Sequence, residues 1–69
     1  MTGNTYKKIE LTGTSSNSIE EAVNHAVTKA SQTIRQMRWF TMEEVRGTIE
    51  NDSVTEWQVT IKVGFTLED

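Results

Sequence analysis

The stretch "TEWQVTIKVGFTL" (Thr55–Leu67) decides the fold. Trp57, Val59, Ile61, Val63, Phe65 and Leu67 fall on one phase of a two-residue period. Gln58, Thr60, Lys62, Gly64 and Thr66 fall on the other. Successive side chains of a strand point to opposite faces, so this is a strand with one apolar face and one polar face. Upstream, "ENDSV" (Glu50–Val54) supplies turn residues, and Trp39 to about Glu50 reads as the strand that turns into it. Phe40 and Met42 hold one phase of that strand, and Val45, Gly47 and Ile49 the other. The phase break near Glu43 and Glu44 predicts a bulge. "YKKIELTGTS" alternates as well, with Ile9 and Leu11 on one face, and gives a first strand from Tyr6 to about Thr14.

Between the first two strands lies one helix. Ser18 is suited to the N-cap, and Glu21 stands three residues later in the spacing of a capping box. Glu20 and Glu21 also suit the positive end of the helix dipole. Ile19, Ala22, Val23, Ala26, Val27, Ala30, Ile34 and Met37 recur at three- and four-residue steps, a single apolar stripe. The order is β-α-β-β. With the last two strands in a hairpin and the third strand central, the expectation is an α+β domain. It has a three-stranded antiparallel sheet of order 1-3-2 packed on one long helix.

The chain has 69 residues, a single domain spanning 1–69. So small a domain has little core, and such chains are commonly stapled by disulfides, metals or other subunits. There is no Cys, and one His, His25, is too little for a zinc site. Open sheet edges and one uncovered sheet face then point to a homo-oligomer. The charge of -3, without a basic stripe, argues against nucleic acid. No apolar run reaches membrane-spanning length. "MTGNTYKK" lacks the apolar core of a secretion signal, so a soluble cytoplasmic protein is expected.

Signals for catalysis are weak. No nucleophile motif, phosphate loop or metal cluster is present. His25 reads as a solvated helix residue, and Glu43 and Glu44 as surface charges. Trp39 is more informative. If the apolar side of its strand starts at Phe40, Trp39 projects away from its own core. It then either packs in a subunit contact or stacks on a flat ligand, as aromatic side chains do on nucleobases. Gln58 presents an amide donor and acceptor side by side, a match for a flat imide edge. Arg46 offers a planar fork for a phosphate or an ion pair with a nearby Glu. Gly47 and Gly64 permit close approach or a bend. Trp57, in phase with the core residues, is the rival stacking ring.

Taken together, "YKKIELTGTS", "RWF", "VRGTIE" and "WQVTIKVGFTLED" resemble the dodecins, small flavin-binding proteins of β-α-β-β fold. The resemblance runs from Tyr6 to Asp69. It implies a hollow homododecamer, a non-enzymatic flavoprotein holding flavin (FMN or riboflavin) between subunits. By resemblance, Trp39 stacks on the isoalloxazine ring, Gln58 hydrogen-bonds its pyrimidine edge, and Arg46 lines the site. Some members also bind coenzyme A, for which Tyr6, Lys7 and Lys8 are candidates by position. The implied role is flavin storage and photoprotection. One departure stands out: many bacterial members place an arginine where this chain has Thr66, so a cation suited to a flavin phosphate is missing there.

Overall fold

The computed structural model describes residues 3–67; Glu68 and Asp69, the end of the last motif, lie outside them. Strand β1 runs Thr5–Ser15, helix α1 Ile19–Ala30, strand β2 Met37–Glu50 and strand β3 Ser53–Leu67. The sheet has the order β1-β3-β2, with both pairings antiparallel. The expected fold class and topology hold.

The hairpin closes on Asn51 and Asp52, both at positive φ (52° and 65°). That is the mirror-image turn whose twist matches paired strands, and Asn and Asp tolerate it better than other side chains. The expected bulge is present: the pairing slips between Met42 and Glu44, so Glu43 has no partner in the ladder. Two further slips lie between Met37 and Trp39 and between Thr48 and Ile49.

The helix begins as its sequence requires, with the Ser18 hydroxyl accepting from the Glu21 amide at 3.0 Å. The reciprocal half of the capping box is replaced by another contact. The Glu21 carboxylate accepts from the Ser15 hydroxyl and from the Asn17 amide, and the Ser15 hydroxyl in turn accepts from the backbone of Asn17 and Ser18. These hydrogen bonds, that of Ser15 above all, hold the Glu21 carboxyl below its ordinary value. The Thr14 carbonyl accepts from Nδ1 of His25 at 2.9 Å, which ties the helix to the end of β1.

The helix is shorter than its stripe. It stops at Ala30, so Ile34 and Met37 are not on it. The Ser31 hydroxyl donates to the Thr28 carbonyl at 2.6 Å, competing with the helical pattern as short hydroxyl side chains do. Tightened bonds from Gln32 to Lys29 and Thr33 to Ala30 finish the last turn. Gln36, at φ 60°, then redirects the chain into β2.

Ala22, Val23 and Ala26 of α1 close over Val59, Ile61 and Val63 of β3. The three β3 residues are at most 2% exposed, and each contributes about 1.5–3 kcal/mol by leaving water. Close approach depends on Gly13: a Cβ there would stand 2.0 Å from the Ala22 carbonyl oxygen. Twelve helical residues reach about 18 Å, whereas the molecule is 56 Å long. The helix therefore lies over β1 and β3 and leaves β2 largely bare. On β2, Phe40, Met42 and Val45 share the helix side yet stay 43–50% exposed. Open hollows of about 250 and 540 Å³ run along this gap, lined by Val27, Phe40 and Val63 and by Ile19, Val23 and Met42 among others.

Candidate functional site on the open face of the sheet

The face turned away from the helix carries the side chains that the apolar core does not use. Trp39 pairs with Gly64 of β3. Its six-membered ring lies over that glycine so closely that a Cβ on Gly64 would meet ring carbons at 2.3–2.6 Å. Gly64 is thus the floor on which the indole rests, and any side chain there would lift it. Tyr6, in the matching phase of β1, meets the indole edge-on, with centroids 5.0 Å apart and planes at 72°, a favoured arrangement of two aromatic rings. Trp39 remains 40% exposed and Tyr6 46%. One face of a large apolar ring is fixed from below and from the side, and the rest is open.

Trp39 owes its orientation to the first slip in the ladder. Met37 pairs with Phe65 and Trp39 with Gly64. Two steps along β2 are therefore matched by one along β3, and Arg38 is the extra residue of a bulge. Arg38 Nε donates to the Thr66 hydroxyl at 3.0 Å, and its Nη2 donates to Gln36 Oε1 at 3.3 Å.

Further along the same face stands a second group. Arg46 pairs with Gln58 across the ladder. Arg46 Nε donates to Gln58 Oε1 at 2.6 Å, in place of an ion pair with a glutamate. The Gln58 amide donates to Glu56 Oε1 at 3.1 Å and, more weakly, to Thr48 Oγ1 at 3.5 Å. The amide is held with its carbonyl toward Arg46, so its orientation is set within the chain.

The structure keeps these two groups apart within one chain. Gly64 and Gln58 are six residues apart on β3, about 20 Å at strand rise, longer than a three-ring heterocycle. Lys8 pairs with Gly64 and shares the Trp39 face, whereas Lys7 pairs with Phe65 and takes the opposite phase to Tyr6. Trp57 pairs with Ser15 and Gly47 on the helix side and is half-buried. It is on the wrong face to share a site with Trp39. Glu43 makes a surface ion pair with Lys62 at 4.0 Å. Among the described residues no three His, Asp or Glu side chains gather as a metal site.

Sequence reasoning passed over Arg38 and Tyr6's contact with Trp39. Arg38 follows no alternation because it is the bulge residue, and a bulge this near the start of β2 has too little strand before it for a break in phase to show.

Comparison with known proteins matches this architecture throughout. Residues 5–68 match the model of the dodecin family. The chain belongs to the dodecin family. It is 46% identical to the dodecin of Thermus thermophilus over 67 residues, 97% of each chain. Against the solved dodecin of Streptomyces coelicolor it shows 48% identity and a TM-score of 0.93, covering 100% of this chain and 99% of that one. A more distant dodecin, from Mycobacterium tuberculosis, is 25% identical with a TM-score of 0.81, covering 93% of this chain and 91% of the other; it is described as a calcium dodecin with a calcium-binding site. No helix among the described residues is long and apolar enough to cross a membrane.

Proposed function

We propose that this dodecin is a non-enzymatic flavin-binding protein of the cytoplasm that stores flavin and shields it from light, within a homo-oligomer counted by its family as a dodecamer. The observation that carries the reading is the indole of Trp39, seated on Gly64 with one face open. An exposed tryptophan on a rigid strand, with its position fixed by a glycine floor and a tyrosine wall, is a platform for a flat aromatic ligand.

The residues fit a flavin in two parts. Trp39, flanked by Tyr6, would hold the tricyclic ring. Gln58, with its amide oriented by Arg46, would exchange its present donor contacts for the pyrimidine edge. Since about 20 Å of strand separates the two groups, one flavin meets both only when they come from different protomers. The bare apolar strip of β2, with Phe40, Met42 and Val45, supplies the surface by which protomers join. Coenzyme A binding remains a reading by position alone, with Tyr6, Lys7 and Lys8 as its candidates.

A bound flavin supplies light absorption and redox capacity. The protein's part would be to stack, to exclude water and to quench, with the indole of Trp39 as the electron-rich neighbour that would deactivate the excited ring. Two of the mutants solved for the Thermus thermophilus dodecin change a tryptophan to phenylalanine and an arginine to alanine. With that protein's numbering advanced by one residue, those positions fall on Trp39 and Arg46, which supports placing the site here.

Native mass spectrometry of protein purified from its own cells tests the reading. It should report a closed assembly carrying flavin, and adding riboflavin or FMN to stripped protein should abolish nearly all flavin fluorescence. A monomer, or an assembly in whose presence flavin fluorescence persists, contradicts it. In the second case Trp39 serves a subunit contact.

A further inference from the structure

We propose that Arg38 is the residue that lets this chain prefer a phosphorylated flavin over a neutral one, taking over at the base of β2 the cationic role that Thr66 cannot fill on β3. The inference rests on the flavin reading of the Trp39 face and adds to it the class of ligand: a phosphate monoester on the ribityl chain.

Arg38 immediately precedes Trp39, and in a regular strand it would point to the opposite face. The bulge removes that opposition. Because Arg38 is the extra residue between the Met37–Phe65 and Trp39–Gly64 pairs, its side chain reaches the Thr66 hydroxyl. Thr66 is two residues beyond Gly64 on β3, in the same phase as the indole's floor. The guanidinium therefore lies on the ligand face, next to the ring that would hold the flavin.

Two contacts fix it there. Thr66 Oγ1 takes the Nε proton and Gln36 Oε1 takes one from Nη2. A guanidinium has five donors, so three are not used by these bonds. No carboxylate among the described residues pairs with it; the ion pair they contain joins Lys62 and Glu43. A held, exposed guanidinium, without a carboxylate partner among the described residues, is suited to a phosphate, which it can engage with two parallel donors. Thr66 then has a positive role. Threonine is short enough to leave room for the arginine of β2 and supplies the acceptor that orients it. The cation is thus moved from one strand to its neighbour. A further mutant solved for the Thermus thermophilus dodecin, also arginine to alanine, falls on Thr66 under the same one-residue offset.

Flavin fluorescence titrations of the full assembled protein with FMN and with riboflavin test this. The wild type should bind FMN the more tightly, with an advantage that shrinks as salt rises. Arg38→Ala and Arg38→Gln should each weaken FMN on the order of tenfold and leave riboflavin within about twofold, while Arg38→Lys should recover part of the difference. Glutamine retains a hydrogen-bonding amide without the charge, so it separates electrostatics from folding. Equal losses for both flavins, or an unchanged FMN affinity, would overturn the inference and leave the flavin site standing. A wild type that quenches neither flavin would overturn the site itself, before any substitution is made.

Discussion

Gly13 and Gly64 lie on opposite faces of the same sheet, and each makes room for something larger. Gly13 admits the backbone of α1, and a Cβ there would collide with the Ala22 carbonyl. Gly64 admits the ring of Trp39. The first close approach seals the core, with Val59, Ile61 and Val63 behind it. The second displays an indole at 40% exposure. The same device, a missing side chain, serves stability on one face and, on the proposed flavin reading, ligand capture on the other. The two faces should therefore respond differently to the same substitution.

The largest expected effect is on the helix side. Gly13→Ala places a Cβ against helix backbone, which can yield only by shifting the helix. A loss of about 3 kcal/mol is expected, read as a lowered midpoint in urea unfolding at fixed protein concentration. Gly64→Ala should separate the faces. The indole can swing where a helix cannot, so stability should change by less than about 1 kcal/mol, while flavin affinity falls on the order of tenfold as the platform is lifted. If Gly64→Ala unfolds the chain as readily as Gly13→Ala, the distinction between the faces fails.

A smaller effect is expected at Arg46. Arg46→Ala frees the Gln58 carbonyl from its 2.6 Å contact. Affinity for riboflavin should drop a few-fold, consistent with one hydrogen bond of about 1 kcal/mol, without change in the unfolding midpoint. The smallest effect belongs to Glu21. Its carboxyl is held below the ordinary value by Ser15, Asn17 and, more weakly, His25. A depressed carboxyl stabilises the fold above the unfolded-state pKa, and that contribution disappears as pH falls through the folded value. Glu21→Gln should lower the thermal midpoint slightly at neutral pH, and the difference from wild type should vanish in acid.

Much of this architecture is legible in the sequence. The alternation of β3 fixes its two faces, Ser18 marks the helix start, and the phase break at Glu43 marks a bulge, because each rests on contacts close in sequence. The end of the helix is not legible. Ile34 and Met37 continue the apolar period, but Ile34 lies in the connection after the helix and Met37 opens β2, from which it packs against the core. Nor does alternation show that α1 is too short to cover β2, since coverage depends on where the helix is laid. At the site, Trp39 facing away from the core follows from the phase of Phe40. Arg46 bonding to Gln58 depends on register. Arg38 reaching Thr66 depends on one extra residue in the ladder. Both are set by pairing between strands and leave no pattern within either one.

The central claim is that Trp39 is held open for a flat ligand rather than for a neighbouring chain. Riboflavin titration of Trp39→Ala against wild type, with native mass spectrometry of the same samples, tests it most directly. The account predicts an intact assembly whose riboflavin affinity has fallen by about tenfold to a hundredfold, in line with roughly 1–3 kcal/mol for a stacked aromatic. An assembly that falls apart on losing the indole, or one that binds riboflavin as tightly without it, would contradict it.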